Sequence, residues 1–180
     1  MAEIKSAVEL AMERTRGLRL SDEEKSRLKE EEVQTKARGL VNRYLEIDYH
    51  LREVEKELAR LDEAERKKAE ALFFAYLCDA VSLEKDNDLI FQAVESLRQG
   101  KEKVVGKIAD LTESFAERRE SEYLAVEKTL LSSLEKKGIS GSAVRPKVEG
   151  SAAWQAALAE FKPEYEKNLT ELKKALAGSG

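Results

Sequence analysis

Residues 33–61 read VQTKARGLVNRYLEIDYHLREVEKELARL, and the apolar positions in this stretch decide the fold class. Val33, Ala37, Leu40, Tyr44, Ile47, Leu51, Val54, Leu58 and Leu61 follow one another at alternating spacings of four and three. In a helix that spacing puts all of them on one stripe, at the a and d positions of a heptad seam. Read as one continuous helix from Asp22 to Leu61, the segment would be roughly forty residues and about 60 Å long. The next two positions in register are Glu65 and Lys68, so the seam ends there. Whether the helix runs on through 62–81 or restarts with Asp62 as N-cap stays open, because no Gly or Pro marks the place.

Upstream, Ser21-Asp22-Glu23-Glu24 forms a capping box in which the Ser21 hydroxyl and the Glu24 carboxylate each serve the other's amide. Before it, Ile4, Val8, Ala11, Met12 and Thr15 give a short amphipathic helix closed by Gly17. Downstream, Ala71-Leu72-Phe73-Phe74-Ala75-Tyr76-Leu77-Cys78 is apolar around its whole circumference and calls for cover on all sides. It marks the centre of the core or part of an oligomer interface. Asp86-Asn87-Asp88 offers an N-cap for a helix carrying Leu89, Ile90, Ala93, Val94 and Leu97, and Gly100 ends it.

From Lys101 to Lys137 there is no proline and one glycine, Gly106. Ile108, Leu111, Phe115, Tyr123, Val126, Leu130 and Leu134 form a stripe with a phase slip around 118–122. A second long helix results, capped by Gly138 and matched in length to the first, so the two are expected to pack as an antiparallel pair. Gly138, Gly141, Pro146 and Gly150 break up residues 138–150, which is not helical. Ser151 then caps a short helix with Trp154 and Leu158, and Pro163 opens a last one with Tyr165, Leu169, Leu172 and Leu176 inward. The expectation is an all-α, elongated bundle. Residues 1–137 form its long-helix body, 138–150 a loop, and 151–177 a C-terminal helical hairpin.

The chain has 180 residues, of which 38% are charged and 6% aromatic, with a formal net charge of −4. That composition favours helices and argues against a dedicated nucleic-acid binder, which needs an excess of Lys and Arg. The single cysteine, Cys78, permits no intramolecular disulfide and no cysteine zinc cluster. Glu3, Glu9 and Glu13 interrupt the N-terminal apolar residues, unlike a signal peptide. No apolar run reaches the length of about 20 residues that spans a bilayer. The expected location is the cytoplasm.

Glu3-Ile4-Lys5-Ser6-Ala7 leads into Glu9-Leu10-Ala11-Met12-Glu13, and Gly141-Ser142-Ala143-Val144 is followed by Pro146 and Trp154. These two segments resemble a family of small bacterial all-helical proteins of unknown function. The resemblance implies a bacterial cytosolic protein and contributes no catalytic residue.

Candidate chemistry is sparse. His50 is the sole histidine, and position 47 is Ile, so the paired Glu-x-x-His motifs of a di-iron bundle are missing. His50 falls at a g position, at the edge of the seam. Gly138-Ile139-Ser140-Gly141-Ser142 is no nucleophile elbow, because it ends a helix. Cys78 sits in the apolar run and reads as an inert small hydrophobe. Asp86-Asn87-Asp88 lacks the glycine of a calcium loop. The mixed charges of Glu65-Arg66-Lys67-Lys68 read as a solvated face. No catalytic, metal or cofactor-binding residue is assigned. The candidate interaction surface is Val144, Arg145, Pro146, Lys147 and Trp154, on and beside the 138–150 loop; its bland alternative is a connector with Val144 and Trp154 packed inward.

The leading function read from the sequence is a non-enzymatic helical adaptor or scaffold with an unidentified protein partner, able to form a homodimer through helical surfaces. The alternative is a helical-bundle ligand-binding protein or enzyme using carboxylates and tyrosines, with Tyr44, Asp48, Tyr49, His50 and Tyr76 as the residues to inspect. A weaker alternative, by shape alone, is a stalk or chaperone of a secretion or motor assembly.

Overall fold

The computed structural model describes residues 21–46 and 49–178. The amphipathic segment expected at 4–17, the seam position Ile47 and the candidate residue Asp48 lie outside the described residues. Among those described there are six helices: α1 Asp22–Tyr44, α2 Leu51–Leu58, α3 Glu63–Ala80, α4 Asp88–Leu97, α5 Glu102–Lys136 and α6 Ala152–Ala177. The fold is all-α, long helices packed with short ones, as the periodicity predicts.

α1 opens on the expected capping box. The Ser21 hydroxyl accepts from the Glu24 amide at 3.1 Å, and the Glu24 carboxylate accepts from the Ser21 amide at 2.8 Å. The forty-residue helix does not form, however. α1 stops at Tyr44, where the Leu45 amide still donates to Val41 and the Glu46 amide tightens onto Arg43. His50 then sits in extended backbone as the N-cap of α2, and the Glu53 carboxylate accepts from its amide at 2.9 Å. His50 is therefore an exposed helix start, not a seam-edge residue. A second break at 59–62 ends α2, and Asp62 caps α3 by accepting from the Glu65 amide at 2.8 Å.

The physical reason is cover. A single long helix would leave much of its stripe without a partner in the same chain. Folding back buries Val54 and Leu58, each worth about 1.5–3 kcal/mol. The described seam residues all turn inward: Val33, Ala37, Leu40, Tyr44, Val54 and Leu58 are buried, Leu51 and Leu61 half-buried.

With α2 as the return stroke, α1 and α3 run parallel. Glu30 pairs with Lys68, the Arg38 guanidinium lies 5.2 Å over the Tyr76 ring, and Tyr44 meets Phe73 edge-on at 6.2 Å. The apolar run 71–78 sits at the centre of the main core, with Phe73, Phe74, Leu77 and Cys78 buried. Asn87 begins α4, but its side chain turns back to clamp the connection, accepting from the Ser82 amide at 2.9 Å and donating to the Ser82 carbonyl at 2.8 Å.

The antiparallel long pair is α5 with α6, rather than α5 with the first long segment. Lys101 reaches the end of α6, Phe115 packs on Phe161 and Tyr165 at 5.9 and 5.4 Å, and Tyr123 meets Trp154 at 5.6 Å. The hairpin expected at 151–177 is one helix that continues through Pro163. A mid-helix proline removes one backbone bond. Here Pro163 and Ala159, the residue whose carbonyl is left over, both face solvent, so water can take the bond. Phe161 and Tyr165 hold the helix on either side of it through Phe115.

Candidate interaction surface

The molecule has two parts. In the base, α1–α4 share one core with the first half of α5 and the second half of α6. α6 is tied to the base by the Lys162–Glu84 ion pair at 2.7 Å and by the Lys173 ammonium, which donates to the Asp79 carbonyl at 2.7 Å. Their hydrogen bond holds the Glu84 carboxyl below the usual carboxylate range and raises Lys162, while burial lowers Lys173.

Beyond Phe115 and Phe161, the remaining turns of α5 and the opening turns of α6 pack on each other and on the 138–150 loop. This arm has its own small core of Val126, Val148 and Trp154, flanked by Tyr123, Leu130, Ala157 and Leu158. From Arg118 to Lys136, the α5 strand of the arm is about 28 Å long.

The tip is closed by a Schellman turn. Gly138 takes φ +79°, its amide donates to Glu135 at 2.9 Å, and the Ile139 amide donates to Leu134 at 3.0 Å. The loop then turns twice, the Val144 amide donating to the Gly141 carbonyl and the Val148 amide to the Pro146 carbonyl, each at 3.1 Å. Val144 and Pro146 are half-buried, Val148 is buried, and Arg145 and Lys147 are exposed between them. Every second side chain of this stretch therefore turns toward the arm and the others toward water.

The residues singled out from the sequence thus divide. Trp154 is 2% exposed and belongs to the arm's core, where its ring stands edge-on to Tyr123. It is not an exposed anchor, because α6 begins at Ser151 and points this position at α5. Val144 and Pro146 rest on that core, and Arg145 and Lys147 face solvent. Val148 was missed; its place two residues beyond Pro146, in step with Val144, is the signal that could have found it. The largest exposed apolar side chains on the arm, Leu124 at 56% and Ile139 at 49%, were missed as well. Leu124 lies one residue off the predicted α5 stripe, so its exposure was readable from the helical period.

The described tyrosines of the alternative set each engage a partner of their own, and Asp48 lies outside the described residues. Tyr44 is buried and its hydroxyl donates to the Leu89 carbonyl at 2.8 Å; burial raises its pKa. Tyr49 lies under Arg43, with the guanidinium 5.1 Å from the ring, and Tyr76 under Arg38. Cys78 is fully buried, and burial pushes its thiol up to about 11, which keeps it protonated and unreactive near neutrality. The charges of 65–68 pair on the surface, Lys67 with Glu63 and Lys68 with Glu30. Among the described residues, no group of three or more His, Cys, Asp or Glu is placed to hold a metal ion, and no helix is long and apolar enough to cross a membrane.

Comparison of the chain with protein-family models, with curated proteins and with solved structures gives no match. The function is therefore argued from the geometry.

Proposed function

We propose that this chain is a non-enzymatic interaction protein, an adaptor or scaffold, that presents the α5/α6 arm to a protein partner. One observation carries the reading. The two most exposed large apolar side chains of the described residues, Leu124 and Ile139, both stand on the arm and not on the base. Isolated exposed leucines are ordinary on any surface. Two of them on one projection, which also carries the half-buried Val144 and Pro146 and the exposed Arg145, supply apolar and arginine side chains of the kind partners engage. The seam that suggested a coiled-coil contact is buried within the chain, so docking moves from the seam to the arm. The Val126–Val148–Trp154 core holds the arm straight, which lowers the ordering cost of binding.

The test places a photo-crosslinking residue at Leu124, at Ile139 and, as a control on the base, at Leu28, which is 44% exposed. The expected result is a discrete crosslinked species from the two arm positions and none from Leu28, lost when the other arm position is changed to Glu. Its mass separates a second copy of the chain from a different protein. Equal crosslinking at all three positions, or none at either arm position, overturns the proposal.

A further inference from the structure

A second surface lies on the base, far from the arm's tip in the fold, and is independent of the interaction reading. Phe74 and Leu97 join two hollows. One, of about 190 Å³, is floored by Val54, Leu58 and Phe73. The other, of about 400 Å³, lies against Gln99, Lys101 and Gly178 at the end of α6. Arg98 borders both.

The charges along this groove are sorted. Arg98 ends α4 in extended backbone, and its guanidinium carbon stands 5.2 Å over the Phe74 ring. Among the described residues, no carboxylate pairs with it and no hydrogen bond engages its five donors. Lys101 is 8% exposed, and its ammonium donates to the carbonyls of Ala175 at 3.2 Å and of Gly178. Both acceptors are neutral, so Lys101 caps α6 without a countercharge from them. The lining of the larger hollow holds no carboxylate side chain among the described residues, and the neighbouring Glu102 accepts from the Gly100 amide at 3.3 Å. Glu55 and Glu70 line the smaller hollow and are absent from the lining of the larger one; Glu70 stands 3.6 Å from Arg66. Leu97, 37% exposed, lines both hollows.

We propose that this groove is a binding site for a small amphipathic carboxylate. Its headgroup lies on the Arg98 fork at the Lys101 end, and its short apolar tail runs over Phe74 and Leu97 toward Val54. A carboxylate matches the fork because two parallel N–H donors meet two oxygens. Stacking on Phe74 holds the guanidinium plane in place before the ligand arrives. An amine is repelled by Arg98 and Lys101, and an uncharged alcohol leaves the fork unused. The small apolar hollow, below the usual range of ligand pockets, limits the tail to a short one.

The test is calorimetric titration of the full chain with octanoate, octan-1-ol and octylamine, with the site located by amide shifts. Octanoate is expected to bind with a Kd on the order of 0.1–1 mM, shifting the amides of residues 97–101 and 74. Arg98→Gln is expected to weaken it about tenfold, as loss of a charged hydrogen-bond pair does, and Arg98→Lys to restore part of the loss. Arg98 is exposed, so neither variant disturbs the core. The proposal is overturned if octanol binds as tightly as octanoate, if Arg98→Gln leaves octanoate unchanged, or if octanoate does not bind at 10 mM, about tenfold above the weakest Kd expected.

Discussion

The base and the arm are built from the same two helices, yet they are held by different means. In the base, α5 and α6 are packed into a core fed by four other helices, and Phe73, Leu77 and Cys78 sit at its middle with almost no exposed surface. In the arm the same helices have each other and a strip of loop, and three buried side chains. Buried positions thin out along α5, from Val105, Ile108 and Phe115 in the base to Val126 alone in the arm. Stability that scales with buried apolar area should fall with them. The difference predicts that the base unfolds as one cooperative unit and that the arm can loosen without it.

The largest expected effect tests that division directly. Phe73→Ala removes a ring that is 1% exposed and packs edge-on against Tyr44. It should cost about 3–5 kcal/mol of global stability in denaturant titration. Trp154→Ala deletes as large a side chain, but from the arm's core. Its effect should be local: amides of 119–136 and 152–160 lose protection against hydrogen exchange while those of α3 keep theirs. If Trp154→Ala lowers the protection of α3 as much as Phe73→Ala does, base and arm are one unit and the comparison fails.

A smaller effect belongs to the base alone and is read through pH. The Cys78 thiol ionises near 9.0 when the chain is unfolded and at about 11 when folded. Its folded pKa is raised, so its contribution is complete below pH 9 and is lost as pH rises toward 11. Unfolding should become easier by about 2–3 kcal/mol across that window. Tyr44, also raised by burial, acts in the same direction above its ordinary value near 10. Cys78→Ala should flatten the alkaline slope by the cysteine's share and leave that of Tyr44. An unchanged slope in Cys78→Ala would mean that the thiol is not desolvated as its burial requires.

How much of this was written in the sequence differs between the two parts for physical reasons. Helix starts were legible where a side chain caps: Ser21 with Glu24, and Ser151, whose hydroxyl accepts from the Trp154 amide at 3.1 Å. The helix end at Gly138 was legible because only a residue that tolerates positive φ closes that turn. The break at 45–50 was not. A heptad stripe reports which side of a helix is buried, and two helices that both face one core preserve it across a turn. The weak sign was Glu53, three residues after His50, which caps the helix from one side by accepting from the His50 amide. The direction of Trp154 was open from sequence because the loop's course decides what lies opposite it. Nor did the sequence join Arg98 to Phe74 and Lys101 to the end of α6, since those contacts exist once the return strokes of the chain are known.

The smallest expected effect sets the two parts against each other within one helix. Gly106 and Gly138 both stand in open space: beyond its chain neighbours and, for Gly106, its own helix backbone, nothing lies within 4 Å of an added Cβ. They differ in backbone alone. Gly106 lies in the base half of α5, where alanine lowers the entropy lost on folding, so Gly106→Ala should stabilise by about 0.5–1 kcal/mol. Gly138 holds φ +79° at the arm's tip, where a Cβ meets the following carbonyl, so Gly138→Ala should cost about 1–2 kcal/mol. The cost should appear as faster exchange of the last turn of α5 and the start of the loop, with thermal unfolding of the base little changed. Gly106→Ala should instead raise the melting temperature of the base. The same substitution thus acts globally and favourably in one half of α5 and locally and unfavourably in the other. Matching signs, or a global loss from Gly138→Ala, would show that the arm's tip is coupled to the base through α5 more tightly than three buried side chains allow.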